Sequence, residues 1–325
     1  MTEVKPRDAE LILRAARLYF EKGKSQDDIA LAVGTSRSNV SRMLSDAKRL
    51  GFVQIRIVAP IVRHDSLSAQ MKKLLGVHEV QVIGTDRSET TLTTVGRAAA
   101  AVLSRALKRN NTVAISWGRG VEATVVEMQS DALPGLKVTQ LMGGLSAIAT
   151  SLSAEELGRT LAQNLRAQFI PLHSPAVVSS AKTRDILLKE SSIAIGLELS
   201  RNANVALVGI GSNGSASSQE VLKHFHLSGA RHKHIEKIYA GDISARFFDE
   251  MGNSVSTQMD ERVVGLTLEE ISKIPHVIGV AAGTEKASGV LGAGRAGIIR
   301  TLVIDVACAN EVLRLTAAAK QKGRH

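Results

Sequence analysis

Residues 34 to 44 read Gly34-Thr-Ser-Arg-Ser-Asn-Val-Ser-Arg-Met-Leu44. Four hydrogen-bonding side chains stand together at Ser36, Arg37, Ser38 and Asn39. The chain then runs on at helical spacing through Val40, Met43, Leu44, Ala47 and Leu50. Upstream, Asp8 to Lys22 carries Leu11, Ile12, Ala15, Ala16, Leu18 and Tyr19 at the same spacing, and Gly23-Lys24 stops that helix. Ser25 opens a short second helix, with Asp28 standing where a capping box usually has Glu. Ile29, Ala30, Ala32 and Val33 give it an apolar face. Gly34 ends it and suits the left-handed residue of a tight interhelical turn, while Ala30 and Gly34 are small where two helices would cross closely. The third helix is expected from about Ser36 to Leu50. After Gly51, Phe52-Val-Gln-Ile-Arg-Ile-Val58 alternates like a strand. Residues 1–58 therefore read as a helix-turn-helix with the start of a wing.

A helix of this kind reads DNA with its first turn in the major groove. Arg matches guanine O6 and N7, Asn matches adenine N6 and N7, and Ser both donates and accepts. Ser36, Arg37, Ser38, Asn39 and Arg42 meet that need. From Ser36 to Arg56 there are five cations (Arg37, Arg42, Lys48, Arg49, Arg56) against one acid (Asp46), a net of +4. Such an excess neutralises phosphates and makes binding salt-dependent. Two blander readings compete. Thr35 or Ser36 is also an ordinary helix cap, and a helix-turn-helix also serves protein contacts, though that use has no need of the cations.

The whole chain of 325 residues has a formal charge of +10, which suits a polyanionic partner. The length favours two domains. Aromatics are 3%, so the core must be aliphatic. Cys308, the single cysteine, lies in an apolar run and reads as a buried small hydrophobe in a reducing compartment. Met1 to Asp8 has no apolar signal core, and no apolar run nears the roughly 20 residues of a membrane span. The expectation is a cytoplasmic protein without metal or cofactor.

Residues 59–76 read as a connector with a helix over Asp65 to Leu75. From 77 to 318 short apolar runs alternate with helix-length segments: Glu79–Ile83, Thr112–Ser116, Lys137–Met142, Val205–Ile210, His276–Ala282 and Thr301–Asp305. This is the pattern of an α/β domain with a mostly parallel sheet, whose ligands bind at the carboxyl ends of the strands. Residues 319–325 read as a frayed basic tail. At the strand ends stand Ser116-Trp-Gly-Arg-Gly120, Gly143-Gly144, Gly209-Ile-Gly-Ser-Asn-Gly214, Gly241-Asp242 and Gly283-Thr-Glu-Lys286. Glycines let backbone N–H groups approach an anion at a helix start. An acid suits sugar hydroxyls, and a cation suits phosphate. Each motif alone is equally a simple turn.

These motifs in this order resemble the SorC family of sugar-operon regulators. The likeness runs from Ser25-Gln-Asp-Asp-Ile-Ala30 and Val40-Ser-Arg-Met-Leu44 through Ile115-Ser-Trp-Gly-Arg119, Gln140-Leu-Met-Gly-Gly144, Val208-Gly-Ile-Gly211, Ala240-Gly-Asp-Ile243 with Phe247-Phe-Asp249, and Lys286, to Leu302-Val-Ile-Asp305. The resemblance implies a regulator that binds double-stranded operator DNA and a sugar, polyol or phosphosugar effector, assembled as a homodimer or homotetramer. It implies an effector site of Ser116, Gly118, Arg119, Gly120, Gly143, Gly144, Asp242 and Lys286. Relatives often carry a hydroxyl residue where Gly120 stands, and Glu285 tempers the charge of Lys286.

The implied fold also resembles sugar-phosphate isomerases and glucosamine-phosphate deaminases, so an enzyme is the alternative. In the deaminases the Gly-Ile-Gly element continues into an acid, a glycine and a histidine. Asn213, Gly214 and Ser215 stand there, and neither an amide nor a serine replaces a base titrating near neutrality. His224, His226, His232 and His234 lie among Lys223, Arg231 and Lys233, which favours a solvated basic segment over a metal site.

Overall fold

The computed structural model describes residues 6–55, 60–84, 90–129, 132–145 and 153–322. The chain forms two compact units, residues 1–59 and 60–325.

The first unit holds α1 (Pro6–Phe20), α2 (Gln26–Val33) and α3 (Arg37–Arg49). Ile12, Ala15, Ala16, Ile29, Ala30, Val40, Leu44 and Ala47 form its core. Its alanines let three short helices pack closely without aromatics. The Ser25 hydroxyl accepts the Asp28 N–H at 3.1 Å and donates to Asp28 Oδ2 at 2.8 Å. Gly34 sits at φ 69, ψ 43, and its N–H reaches the Ala30 carbonyl. A Cβ at Gly34 would meet nothing within 4 Å. The turn therefore needs glycine for its backbone conformation, and the expected close crossing at Gly34 is absent. The expected wing strand is not formed over Phe52 to Ile55. Val53 instead gives its N–H back to Ala47 of α3, and Phe52 and Ile55 are exposed. Residues 56–58 lie outside the described residues.

The second unit carries β1 (Val62–Arg63), β2 (Glu79–Gly84), β3 (Thr112–Ile115), β4 (Lys137–Gln140), β5 (Gln168–Phe169), β6 (Val205–Gly209), β7 (Gly241–Ile243), β8 (Arg246–Phe248), β9 (His276–Ala281) and β10 (Thr301–Asp305). Its helices are α4 (Asp65–Leu75), α5 (Thr91–Ala106), α6 (Arg119–Glu127), α7 (Ala154–Leu165), α8 (Ala181–Leu187), α9 (Ser191–Arg201), α10 (Ala216–Lys223), α11 (Gly229–Ile238), α12 (Thr257–Asp260), α13 (Leu268–Ser272), α14 (Ala287–Arg295) and α15 (Val306–Lys322), with a 3₁₀ turn at Thr284–Lys286.

Eight strands form one sheet in the order β1-β2-β10-β9-β6-β3-β4-β5, parallel except for β1 at the edge. Successive residues of one strand enter opposite layers. Ala206 and Val208 join one core with Met71, Leu75, Leu197 and Ile304, while Val205 and Leu207 join another with Val95, Val125 and Leu161. A sheet buried on both faces must read as continuous apolar runs, which is why those runs were visible. Met71 and Leu75 make α4 part of this unit's core. Helix α15 continues to Lys322, through a segment expected to fray, on the strong helix propensity of Ala317 to Ala319.

Helices α5 and α6 touch at Gly96, where a Cβ would come within 2.6 Å of the Ala123 carbonyl. Gly96→Ala is expected to lower stability by about 1–3 kcal/mol through overpacking, read as a fall in the denaturation midpoint. An unchanged midpoint would show that the two helices can slide apart freely.

A third, smaller core gathers Phe225, Phe247, Tyr239, Val221, Leu222 and Met259. Phe247 meets Tyr239 and Phe225 edge-on, with centroids 5.2 and 6.0 Å apart. It seats the separate β7–β8 hairpin.

Candidate functional site

The chain leaves β3 for β4 and β5 in one direction and leaves β6 for β9 and β10 in the other. The order therefore reverses between β3 and β6, and a crevice opens at the carboxyl ends of those strands. A cavity of about 400 Å³ lies there. Its walls are Trp117–Gly120 after β3, Gly209–Gly211 after β6, Ala282–Lys286 after β9, Asp305 closing β10, Asp242 and Ser244 of the hairpin, Ser217 and Ser218 of α10, and the first turn of α5.

Two helical segments begin at this cavity on unusual glycines. Gly118 precedes α6 at φ 117, and Gly283 precedes the turn leading into α14 at φ 102; neither offers a side-chain cap. Their first N–H groups are left without a side-chain acceptor beside the cavity, an arrangement that favours an anion. Gly120 is small for a reason of packing: a Cβ there would lie 3.0 Å from the Val280 carbonyl oxygen. The buried Asp305 carboxylate fixes the second loop by accepting the N–H groups of Gly283 (2.9 Å) and Ala307 (3.2 Å).

Asp242 is buried, and Ser218 Oγ donates to its Oδ1 at 2.5 Å. Burial pushes its carboxyl above the ordinary carboxylate range, while the Ser218 hydroxyl, the charge of Lys286 and the Ala245 backbone N–H act the other way. Lys286 is also buried. Desolvation pushes its ammonium below the ordinary lysine range, Asp242 opposes that, and Arg119 adds to it. The cavity thus holds an acid and a base whose charged forms both cost free energy. Burial likewise pushes the Cys308 thiol well up, which leaves it a packed, unreactive group.

The hairpin bearing Asp242 is held firmly. Arg246 is buried, and its guanidinium donates to the carbonyls of Leu266 (3.1 Å) and Gly265 (3.0 Å). Gly211, Gly241 and Gly289 pack against one another, and a Cβ on Gly289 would lie 2.1 Å from the Gly211 oxygen.

Of the sequence-predicted effector residues, Gly118, Arg119, Gly120, Asp242 and Lys286 line this cavity. Ser116, Gly143 and Gly144 do not. Ser116 is buried, its hydroxyl accepting the Gly209 N–H at 3.1 Å and donating to the Trp117 carbonyl, so it ties β3 to β6. Gly143 and Gly144 join the end of β4 to the 174–176 and 264 segments by backbone bonds. Ser218 and Ser244 carried no periodic or motif signal that marked them as lining residues, and Asp305, which closes the Leu302-Val-Ile-Asp305 motif, was not among the expected effector residues.

In the first unit, Ser36 caps α3 by accepting the Asn39 N–H at 3.2 Å, and Asn39 Nδ2 donates to Thr35 Oγ1 at 2.8 Å. Arg37, Ser38 and Arg42 are exposed. Arg37 lies 3.8 Å from Asp27, a loose pair in which both side chains are 70% exposed.

A family model described as "Putative sugar-binding domain" matches residues 59–314. The sorbitol operon regulator of Klebsiella pneumoniae is 28% identical over 323 residues, 94% of this chain and 98% of that protein. The crystal structure of the full-length sorbitol operon regulator SorC from Klebsiella pneumoniae aligns with a TM-score of 0.71 over 94% of this chain and 99% of that one. The chain belongs to the SorC family. A second relative, the deoxyribonucleoside regulator of Bacillus subtilis (strain 168), is 30% identical over 301 residues, covering 91% of this chain and 95% of that protein. The transcriptional regulator LsrR of Escherichia coli (strain K12) is 26% identical over 313 residues, 94% of this chain and 95% of that protein. The relatives of this SorC-family chain are thus transcriptional regulators, and it is one as well. Among the described residues, no helix is long and apolar enough to cross a membrane.

Proposed function

We propose that this regulator binds operator DNA through α3 and controls a carbohydrate or polyol operon in response to a sugar, polyol or phosphosugar held in the cavity. The observation that carries this is the pairing of a buried carboxylate with a buried lysine and two uncapped helix starts around one crevice. Asp242 accepts ligand hydroxyls. Lys286, Arg119 and the N–H groups after Gly118 and Gly283 take an anionic group such as phosphate. Residues 1–58 serve as the DNA reader, 59–76 as connector and 77–318 as effector domain. The DNA reader contacts bases with Arg37, Ser38 and Arg42, while Ser36 and Asn39 shape the helix start. The protein acts in the cytoplasm as a homodimer or homotetramer. The effector favours one arrangement of the assembly, and operator affinity follows by linkage.

Catalysis is disfavoured by the same geometry. Asn213 donates its amide to the Glu236 carbonyl, and Ser215 caps α10 while donating to Ser218. Both positions that would need a base are occupied with structural bonds.

The test is fluorescence anisotropy with DNA from upstream of the protein's own operon, with and without polyols, sugars and sugar phosphates at fixed salt. One compound should shift the affinity several-fold, and Trp117, which lines the cavity, should report its binding. Failure to bind any DNA above the nonspecific level would remove the regulator reading.

A pH profile follows from the two shifted groups. Effector affinity should fall on acidification earlier than an ordinary aspartate titrates, and on alkalinisation earlier than an ordinary lysine does. In the unliganded protein, the raised Asp242 makes the native state the better proton binder, so stability falls as pH rises through that window. The lowered Lys286 makes the unfolded state the better binder, so stability rises as pH climbs from its folded value toward the ordinary one. A binding profile flat from acid to alkaline pH would show that neither charge touches the ligand.

A further inference from the structure

The two glycines that open helical segments onto the cavity share nearly one backbone conformation. Gly118 has φ 117, ψ 163 before α6, and Gly283 has φ 102, ψ 151 before the 3₁₀ turn. The angle ψ sets where a β-carbon would stand relative to the peptide that follows, so the same place can be compared beside both starts. At Gly118 a Cβ would meet nothing within 4 Å. At Gly283 it would fall on the Glu285 carboxylate, 2.8 Å from Cδ and from Oε1 and closer still to Oε2. The chain therefore folds a carboxylate of its own over the second start and leaves the first uncovered.

A carboxylate in the first turn of a helix is ordinarily a favourable partner of the helix dipole and nothing more. The surroundings of Glu285 add to that. The charged side chains lining the cavity are Arg119 and Lys286 against Asp242, Glu285 and Asp305, so there is no surplus of cations to offset an incoming phosphate. Asp305 uses both oxygens on backbone N–H groups, and Asp242 uses one on Ser218. Glu285 is exposed at the cavity wall and takes no hydrogen bond or ion pair among the described residues. Its charge acts on Lys286, opposing the effect of burial there. An anion brought to the Gly283 start meets this like charge. At the Gly118 start it meets Arg119, which is exposed and has no partner side chain among the described residues.

We propose that Glu285 is a specificity-determining residue that closes the Gly283 start to anions, so that a phosphate on the ligand seats at the Gly118 start beside Arg119 and the Gly283 side takes uncharged hydroxyls. This rests on the reading that the cavity binds the effector, and it narrows the anion subsite to one of the two helix starts.

The experiment uses the full chain and three variants, Arg119→Gln, Glu285→Gln and Glu285→Asp. The probes are inorganic phosphate alone, ribose 5-phosphate against ribose, and sorbitol 6-phosphate against sorbitol. Affinity is read from Trp117 emission and from the melting shift. Arg119→Gln should weaken phosphate and the phosphorylated probes by about tenfold while changing ribose and sorbitol by less than about threefold. Glu285→Gln removes the charge and should tighten phosphate and the phosphorylated probes by about threefold to thirtyfold. Glu285→Asp keeps the charge but is one methylene shorter, so it withdraws from Gly283 and should tighten them part of the way. The proposal is overturned if Glu285→Gln leaves phosphate affinity unchanged, or if Arg119→Gln does. It is also overturned if Glu285→Gln tightens phosphate while Glu285→Asp matches wild type, because the charge alone would then matter and its place over Gly283 would not. Those results leave the effector reading standing. Wild type that binds none of the probes, nor any other sugar or polyol, ends the effector reading and this proposal with it.

Discussion

Asp242→Ala is expected to abolish the effector response while operator binding persists. Asp242 is the buried carboxylate of the cavity that faces the charge of Lys286, and its carboxylate packs against Gly211, where even a Cβ would lie 1.8 Å from Oδ1. Removing it deletes the proposed acceptor for ligand hydroxyls and takes from Lys286 the largest of the charges that oppose its desolvation, leaving Glu285. Hydrogen bonds to a charged group contribute about 1.5–3 kcal/mol each, so losing one weakens effector binding by roughly tenfold to somewhat over a hundredfold. On the proposed reading DNA is bound by the other compact unit, so affinity for the operator without effector should change little. The measurement is an operator titration with and without saturating effector. A normal shift in the variant would remove Asp242 from the effector site. Removing one partner of a buried pair leaves Lys286 less compensated, so the melting temperature of the variant is read alongside the titration to show that it is folded.

The parts of this molecule that were legible in the sequence are those set by repetition. The strands around Val205–Gly209 and Thr301–Asp305 are apolar on both faces, so a run of Val, Leu and Ile marks them. The strands β1 and β5 are two residues long, too short for any period, and the β7–β8 hairpin reads as a loop because three residues a side cannot show alternation. Strand ends were a good guide to the crevice only near the switch point. Gly143 and Gly144 follow β4, which lies beyond β3 on the side away from β6, so their loop packs elsewhere. Ser116 follows the right strand but turns inward to bind Gly209. Gly34 was right in conformation and wrong in reason. Ser218 comes to the cavity wall through tertiary placement alone, and a single hydroxyl has no signature in one dimension, while Asp305 stood in view at a strand end without a role assigned to it. Over Phe52 to Ile55 the alternation expected of a wing makes no strand, and Val53 gives its N–H to α3 instead.

Arg37→Ala is expected to weaken operator binding by roughly tenfold to a hundredfold, the effect of losing one bidentate base contact of about 1–3 kcal/mol. Nonspecific binding should fall far less, with a change in salt slope of at most about one. The structure ranks the polar residues that open α3. The side-chain oxygen of Ser36 is used on the Asn39 N–H, and Asn39 Nδ2 is used on Thr35, so both shape the helix start. Ser36→Ala should therefore cost about 1 kcal/mol of stability as a lost cap and should not relax base preference. Arg37 stands at the first helical position with its guanidinium exposed, and its 3.8 Å approach to Asp27 is too loose and too solvated to hold it. Arg49 is the internal control, because it is exposed yet bound to Asp46 at 2.8 Å on the last turn of the helix. Arg49→Ala should weaken operator and random DNA by similar factors. Titrations of the operator and a scrambled duplex at two salt concentrations separate these cases. Equal losses on both duplexes for Arg37→Ala would make it a phosphate contact, and base reading would then fall to Ser38 and Arg42, which stand at i and i+4 on one face of the helix.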